Sequence, residues 1–248
     1  MSLILKDVSK QFAGSDKPTL SHIDLEVKPG EFVCIVGVSG CGKSTLLNLV
    51  AGLEKPTSGE ITLDGRPVTG PGAERTVMFQ EHGLYPWLSV IDNVKFGMKL
   101  AGVGKEEQEQ TAMRYLEMVH LAEYRDYPIH QISGGMRQRT ALARALTMDS
   151  KVLLMDEPFS ALDKQTSNSL REELQRIWME TGRTILFITH SVEEAIYLAD
   201  RVVVLRPETA GISRIVGVDL ERPRHVYAPD FVDLRHQILE EVKGGENR

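Results

Sequence analysis

Apolar and polar residues alternate along Leu3–Val8 and Ile23–Val27, the period of a half-buried strand. Pro29-Gly30 marks a turn, and Glu31–Val36 is then almost continuously apolar, the pattern of a strand covered on both faces. A glycine-rich loop follows, and Ser44–Leu53 reads as a helix. Ile61–Leu63 with Asp64-Gly65 predicts a strand ending in a hairpin turn, and Val77–Phe79 a further short strand. From about Ser89 to His120 the period changes. Ala112, Leu116, Val119 and Ala122 fall at helical spacing in a Glu- and Gln-rich stretch, which predicts a helical insertion over about residues 81–145. Strand patterns return at Lys151–Met155, Thr184–Thr189 and Val202–Leu205, separated by helical ones at Lys164–Glu180 and Ser191–Leu198. Such alternation predicts an α/β fold with a parallel sheet and right-handed crossovers. The tail beyond Arg206 carries two weak strand patterns and one helical one, Asp230–Val242.

Composition narrows the class. With 42% hydrophobic and 26% charged residues the chain can bury a core, which sets aside disorder and low complexity. Its 29 Lys and Arg against 35 Asp and Glu leave a charge of −6, which argues against a nucleic-acid partner. A nucleotide ligand stays compatible, because backbone dipoles hold phosphate locally. Cys34 and Cys41 are too few for a disulfide framework. The start, MSLILKDVSK, reaches Asp7 before any long apolar stretch, and no apolar run nears the ~18 residues of a membrane span. The expectation is a chain that is soluble when isolated, on the cytoplasmic side, with any membrane role exerted through a partner.

Three segments carry chemistry. Gly37-Val38-Ser39-Gly40-Cys41-Gly42-Lys43-Ser44, followed by Thr45, has the Walker A spacing between a strand and a helix. Glycines let successive N–H groups point inward at phosphate oxygens, and the helix start adds its positive dipole end. Lys43 then reaches the terminal phosphates and Ser44 ligates Mg²⁺. Lys151–Met155 ends in Asp156-Glu157-Pro158, a Walker B pattern that delivers Asp156 to the metal and Glu157 to the attacking water. His190 ends the next apolar strand, at the edge where open α/β sheets bind ligands. Cys41, beside a helix start and Lys43, has either a lowered thiol pKa or the plain role of a small residue that fits.

Between the Walker segments lies Ile132-Ser133-Gly134-Gly135-Met136-Arg137-Gln138-Arg139. It resembles the signature motif, commonly LSGGQ, of the ATP-binding cassette (ABC) ATPases. Ser160-Ala161-Leu162-Asp163 resembles the family's D-loop, and Gln80 in Val77-Met-Phe-Gln80 its Q-loop. Phe12 stands where the family stacks an aromatic ring on adenine, with a core Phe as the other reading. The resemblance covers about residues 2–206. It implies a P-loop ABC ATPase in one domain spanning 1–248. Such a domain has a parallel-sheet core, an N-terminal antiparallel β region, a helical signature subdomain and a short extension over about 207–248.

The same resemblance implies ATP and Mg²⁺ as cofactors, with Ser44, Gln80 and Asp156 on the metal. Glu157, His190, Lys43 and Gln80 would be catalytic. Ser133, Gly134 and Gly135 would bind the ATP held by the opposite copy of a head-to-tail homodimer, and Asp163 would shape the contact between copies. Ile132 and Met136 depart from the usual Leu and Gln. Met136 removes a side-chain amide and with it the hydrogen bonds that such an amide makes.

Gly70–Arg75, Leu84-Tyr85-Pro86-Trp87 and Val218–Arg224 are similar to segments of the nitrate, sulfonate and taurine importer ATPases. This implies a membrane permease and a substrate-binding protein as partners. It also leaves open a pyrimidine vitamin precursor as solute, export of lipid or drug, or ABC work in DNA repair or translation. A scaffold without hydrolysis is opposed by intact Lys43, Asp156, Glu157 and His190. Leu84–Leu88 with Trp87 either receives a permease helix or packs into the chain's own core.

Overall fold

The structure, a computed structural model, describes residues 2–79, 83–160 and 162–244. In chain order the elements are β1 (Leu3–Lys10), β2 (Leu20–Val27), β3 (Phe32–Val36), α1 (Lys43–Ala51), β4 (Ser58–Leu63), β5 (Arg66–Pro67) and β6 (Arg75–Met78). Then come α2 (Val90–Leu100), α3 (Lys105–Met118), α4 (Gly134–Leu146), β7 (Val152–Asp156), α5 (Lys164–Thr181), β8 (Thr184–Ile188), α6 (Val192–Leu198), β9 (Arg201–Arg206), β10 (Gly211–Gly217) and α7 (Pro229–Lys243). They fall into two compact units: Met1–Gly72 with Gly182–Arg248, and Ala73–Thr181.

The first unit contains an antiparallel sheet in the order β2-β1-β4-β5. In β1 the buried residues are Leu3, Leu5 and Val8, so the period of two slips by one residue. A bulge absorbs the slip. The register jumps between Leu5 and Val8, and Asp7 takes a left-handed φ of 52°. Asp64-Gly65 forms the two-residue hairpin joining β4 to β5, with both φ angles positive, 53° and 72°.

Beside this sheet the same unit holds β3 paired in parallel with β8 and with β9, and β10 pairs antiparallel on β9. Every residue of β3 and β8 is buried. That is why their sequences are apolar without alternation. The tail differs from expectation: it has one strand, β10, and residues 218–228 form none. Pro223 cannot donate to a ladder, and the carbonyls of Val218 and Leu220 are engaged by the Arg224 side chain.

In the second unit β6 and β7 pair in parallel, from Arg75↔Val152 to Met78↔Met155. Helices α2, α3 and α4 pack on one another, and α5 packs on α4. Helix α3 buries Ala112 and Leu116 as its period predicts, but it stops at Met118. His120 turns left-handed, φ 54°, so Ala122 starts a separate 3₁₀ turn. Lys95 on α2 and Arg125 both bond Glu109 on α3, and these two cations hold the Glu109 carboxyl below its usual range. No helix among the described residues is long and apolar enough to cross a membrane.

Both cysteines are buried and free. Of the two readings of Cys41, the lowered thiol pKa is not met. Burial pushes it up, outweighing the nearby Lys43 ammonium, and burial also raises Cys34. Thiolate is the reactive form, so native protein at neutral pH should leave both thiols unlabelled by an aromatic disulfide reagent. Labelling of Cys41 should rise only in the alkaline range, and both cysteines should react at once in denaturant. Rapid labelling of native Cys41 at neutral pH would contradict the burial argument.

Candidate functional site

In the first unit the loop after β3 is built around a buried cation. Lys43 is 7% exposed, and its Nζ donates to the carbonyl oxygens of Gly37 (2.9 Å) and Val38 (3.0 Å). A buried ammonium needs such partners. The loop therefore curls over the lysine, with Ser39 and Gly40 exposed at its crest and Cys41 and Gly42 buried behind.

Gly42 precedes α1 with φ 99°, and a Cβ there would lie 2.7 Å from Leu20 Cδ2. Backbone angle and space both exclude other residues. No side chain caps α1 and no acidic residue lies in its first turn, whereas Ser89, Ser133 and Ser191 cap α2, α4 and α6. The first amides of α1, with Ser44 exposed and Thr45 half-buried among them, are thus left for an anion. This donor set fits a polyphosphate.

Two further residues of this unit bear on the site. In the β3–β8 register Ile35 lies opposite Ile188. Gly37 and His190 each follow by two residues, so the loop and the histidine leave the sheet at one edge. His190 is exposed there. Thr189, just before it, donates its hydroxyl to Glu194 Oε2 at 2.6 Å. Phe12 is 41% exposed, with Lys10 Nζ 4.8 Å from its ring centroid, and this removes the core reading of Phe12.

In the second unit β7 ends at the half-buried Asp156. Glu157 adopts a left-handed φ of 44°, a strained conformation for a side chain of this size. The turn is closed by Ser160, whose N–H and Oγ both donate to the Glu157 carbonyl (3.2 and 3.0 Å).

Ser133 caps α4, its Oγ accepting from Met136 N at 3.2 Å, while Ile132 is buried. Asp163 caps α5, accepting from the N–H groups of Gln165 and Thr166 and from the Thr166 hydroxyl (2.7 Å). These bonds hold its carboxyl below the usual range. A Cβ on Gly135 would lie 2.6 Å from Thr166 Cγ2, so the signature helix seats directly against the residue that Asp163 fixes. Gln80 and Ala161 lie outside the described residues.

An aromatic surface also belongs to this unit. Trp87 is 75% exposed, which removes its core reading. Its ring lies 5.4 Å from that of Tyr85, which is 4.3 Å from Phe96. A cavity of about 490 Å³ opens beside them, lined among others by Phe79, Tyr85, Phe96, Arg144 and Met148. Asn93, fully buried, accepts from Tyr85 N (2.8 Å) and donates to Tyr85 O (3.1 Å) and Ser89 O (3.0 Å). Arg144 donates to Gly83 O at 2.8 Å. Sequence reasoning did not single out Asn93 or Arg144. The one signal was an amide between Ile91 and Val94 on the buried face of α2.

The sequence model described as ABC transporter matches residues 20–160. The taurine import ATP-binding protein TauB of Yersinia pestis is 51% identical over 234 residues, covering 91% of this chain and 92% of its own. The nitrate import ATP-binding protein NrtD of Synechocystis sp. is 44% identical over 257 residues, covering 99% and 97%. Among solved structures, a dimeric bacterial ABC transporter cassette aligns with a TM-score of 0.77 at 29% identity, over 88% of this chain and 100% of that one. A dimeric post-hydrolysis state of that cassette, bound to ADP and Pi, gives 0.76 over the same shares. With the family model matched over more than half the chain, and relatives this similar over nearly all of it, the chain belongs to the ABC transporter family as an ATP-binding cassette.

Proposed function

We propose that this chain is the ATP-hydrolysing subunit of an importer for a small solute of nitrate, taurine or alkanesulfonate type, driving a separate membrane permease from the cytoplasmic face of the inner membrane. The observation that carries the ATPase reading is the uncapped start of α1 behind a glycine loop folded on a buried lysine. The importer reading draws on the taurine and nitrate import for which the two relatives are named. The dimeric cassettes support a homodimer, for which we adopt the head-to-tail arrangement bridged by ATP. A substrate-binding protein completes the transporter.

The reaction is transfer of the terminal phosphoryl group to water. Positioning and electrostatics supply most of the protein's contribution. Gly37–Thr45 hold the phosphates with backbone amides and the Lys43 ammonium, and Phe12 stacks on the base. Glu157 orients the water and accepts its proton, while His190 hydrogen-bonds the terminal phosphate. The hydroxyl of the partner subunit's Ser133, with the amides of Gly134 and Gly135 beside it, offsets charge on the transferring group. Asp163 shapes the contact between copies. The hydroxyl of Ser44 and the carboxylate of Asp156 are hard oxygen donors suited to Mg²⁺, with Gln80 as the third, and the ion supplies charge neutralisation when bound.

The exposed Trp87 and the cavity beside Tyr85 and Phe96 support docking of a short permease helix, with aromatic anchors entering a groove.

Three measurements follow from these assignments. Glu157→Gln should bind ATP and dimerise yet lose about 100-fold or more in kcat; full turnover would remove the assigned base. Lys43→Ala should weaken ATP binding about tenfold or more in calorimetry, and unchanged affinity would refute the cradle. Trp87→Ala should keep solution ATPase within about twofold and change stability by no more than about 0.5 kcal/mol, as for an exposed side chain. It should fail to assemble with the permease; unfolding instead would return Trp87 to the core.

A further inference from the structure

Helix α6 begins two residues after His190 and has only seven residues, so it spans about 10 Å. Its last carbonyls have no helical N–H to accept from. Two arginines of the tail take them. Arg224 Nη1 donates to the carbonyls of Ile196 (2.6 Å), Tyr197 (3.2 Å) and Ala199 (2.6 Å), and Arg222 Nη2 donates to that of Leu198 (2.8 Å). Four consecutive carbonyls at the helix end are thus held by two guanidinium groups.

Those groups are themselves anchored. Arg224 donates from Nη2 to Val218 O (2.9 Å) and from Nε to Leu220 O (3.1 Å). Arg222 also bonds Asp200 Oδ1 (3.0 Å), and the second oxygen of Asp200 accepts from Phe32 N, the first residue of β3 (2.9 Å). Arg224 is 4% exposed, and burial with the neighbouring Arg222 lowers its pKa to about 10, so it stays charged at neutral pH. A lone buried cation is costly unless every N–H is matched. Here five contacts to main-chain carbonyls engage all three nitrogens, three of them shared between the two N–H groups of Nη1.

The other end of α6 is tied to the histidine. Glu194, in the first turn, accepts from the hydroxyl of Thr189, whose N–H donates to Ile35 O in β3 (3.2 Å). Ser191 N also donates to the Thr189 hydroxyl (3.0 Å), so both neighbours of His190 are bound to the helix or to each other. Arg235 of α7 reaches Glu193 at 3.6 Å, an outer strut on the same turn.

We infer that Arg224 and Arg222 form a brace that grips α6 by its C-terminal carbonyls and through Glu194 and Thr189 sets the placement of His190, which makes Arg224 a positioning residue for ATP hydrolysis. The catalytic part of this inference rests on the role given to His190 above. It assigns work to the tail segment 218–224, which none of the nucleotide motifs includes.

The test uses the full chain. Lysine keeps the charge at 224 but lacks the planar five-donor fork. Arg224→Lys should lower kcat about tenfold with KM for ATP within about twofold, the mark of a displaced group rather than a lost binding contact. In a His190→Ala background the same substitution should cost less than about twofold, because the two act as one unit. The imidazole NMR signals of His190, identified as those missing from His190→Ala, should shift in Arg224→Lys.

Equal losses in both backgrounds, a change confined to KM, or unmoved His190 signals would overturn the brace. If His190→Ala alone retains full turnover, the role of His190 falls, and the imidazole signals still decide whether the brace positions it. Should Arg224→Lys fail to fold, Arg222→Gln takes the guanidinium from Leu198 and Asp200 and leaves the Arg224 side chain in place. It should shift the same signals and lower kcat about threefold, and no shift there would refute the inference.

Discussion

The buried ammonium of Lys43 is the interaction from which the functional end of the first unit is built. An unpartnered cation could not remain inside the protein, so the loop must bring carbonyl oxygens to it. That requirement bends Gly37–Gly42 into a crest, places a left-handed glycine before α1 and leaves the helix start without a side-chain cap. The opposite solution is used at α2 and α6, whose starts are closed by serines. The difference separates a helix start that completes the fold from one that awaits an anion.

The second unit follows a different logic. There the groups assigned to catalysis and to contact between copies are tied into one local frame. Gly135 on the signature helix abuts Thr166, and Thr166 is held by Asp163 through backbone and hydroxyl. Gly135 and Asp163 are thus linked through one shared neighbour, Thr166. The strained backbone at Glu157 is clamped by Ser160 in the same stretch of chain.

Much of this was legible in the residues because it is local. The run of five apolar residues in β3, the Asp64-Gly65 hairpin and the glycine spacing of the phosphate loop each encode a geometry within a few positions. What was missed depends on partners far along the chain. Burial that raises the Cys41 thiol cannot be read from its neighbours, which suggested the reverse. Asn93 holds the backbone of Tyr85 across a turn that no local pattern encodes, and Arg224 meets carbonyls over 20 residues back. The tail strand failed for a nearer reason: the Arg224 side chain, a few residues on, claims the carbonyls of Val218 and Leu220 that a ladder would use.

The latch at Asn93 bears on how such a chain diversifies. Because the amide secures the main chain at Tyr85 from beneath, the outward Trp87, whose ring meets that of Tyr85, is spared the work of holding that backbone. Replacement there changes the surface offered to a neighbour while the underlying frame persists. A lineage could retune its choice of companion one side chain at a time and leave its engine untouched.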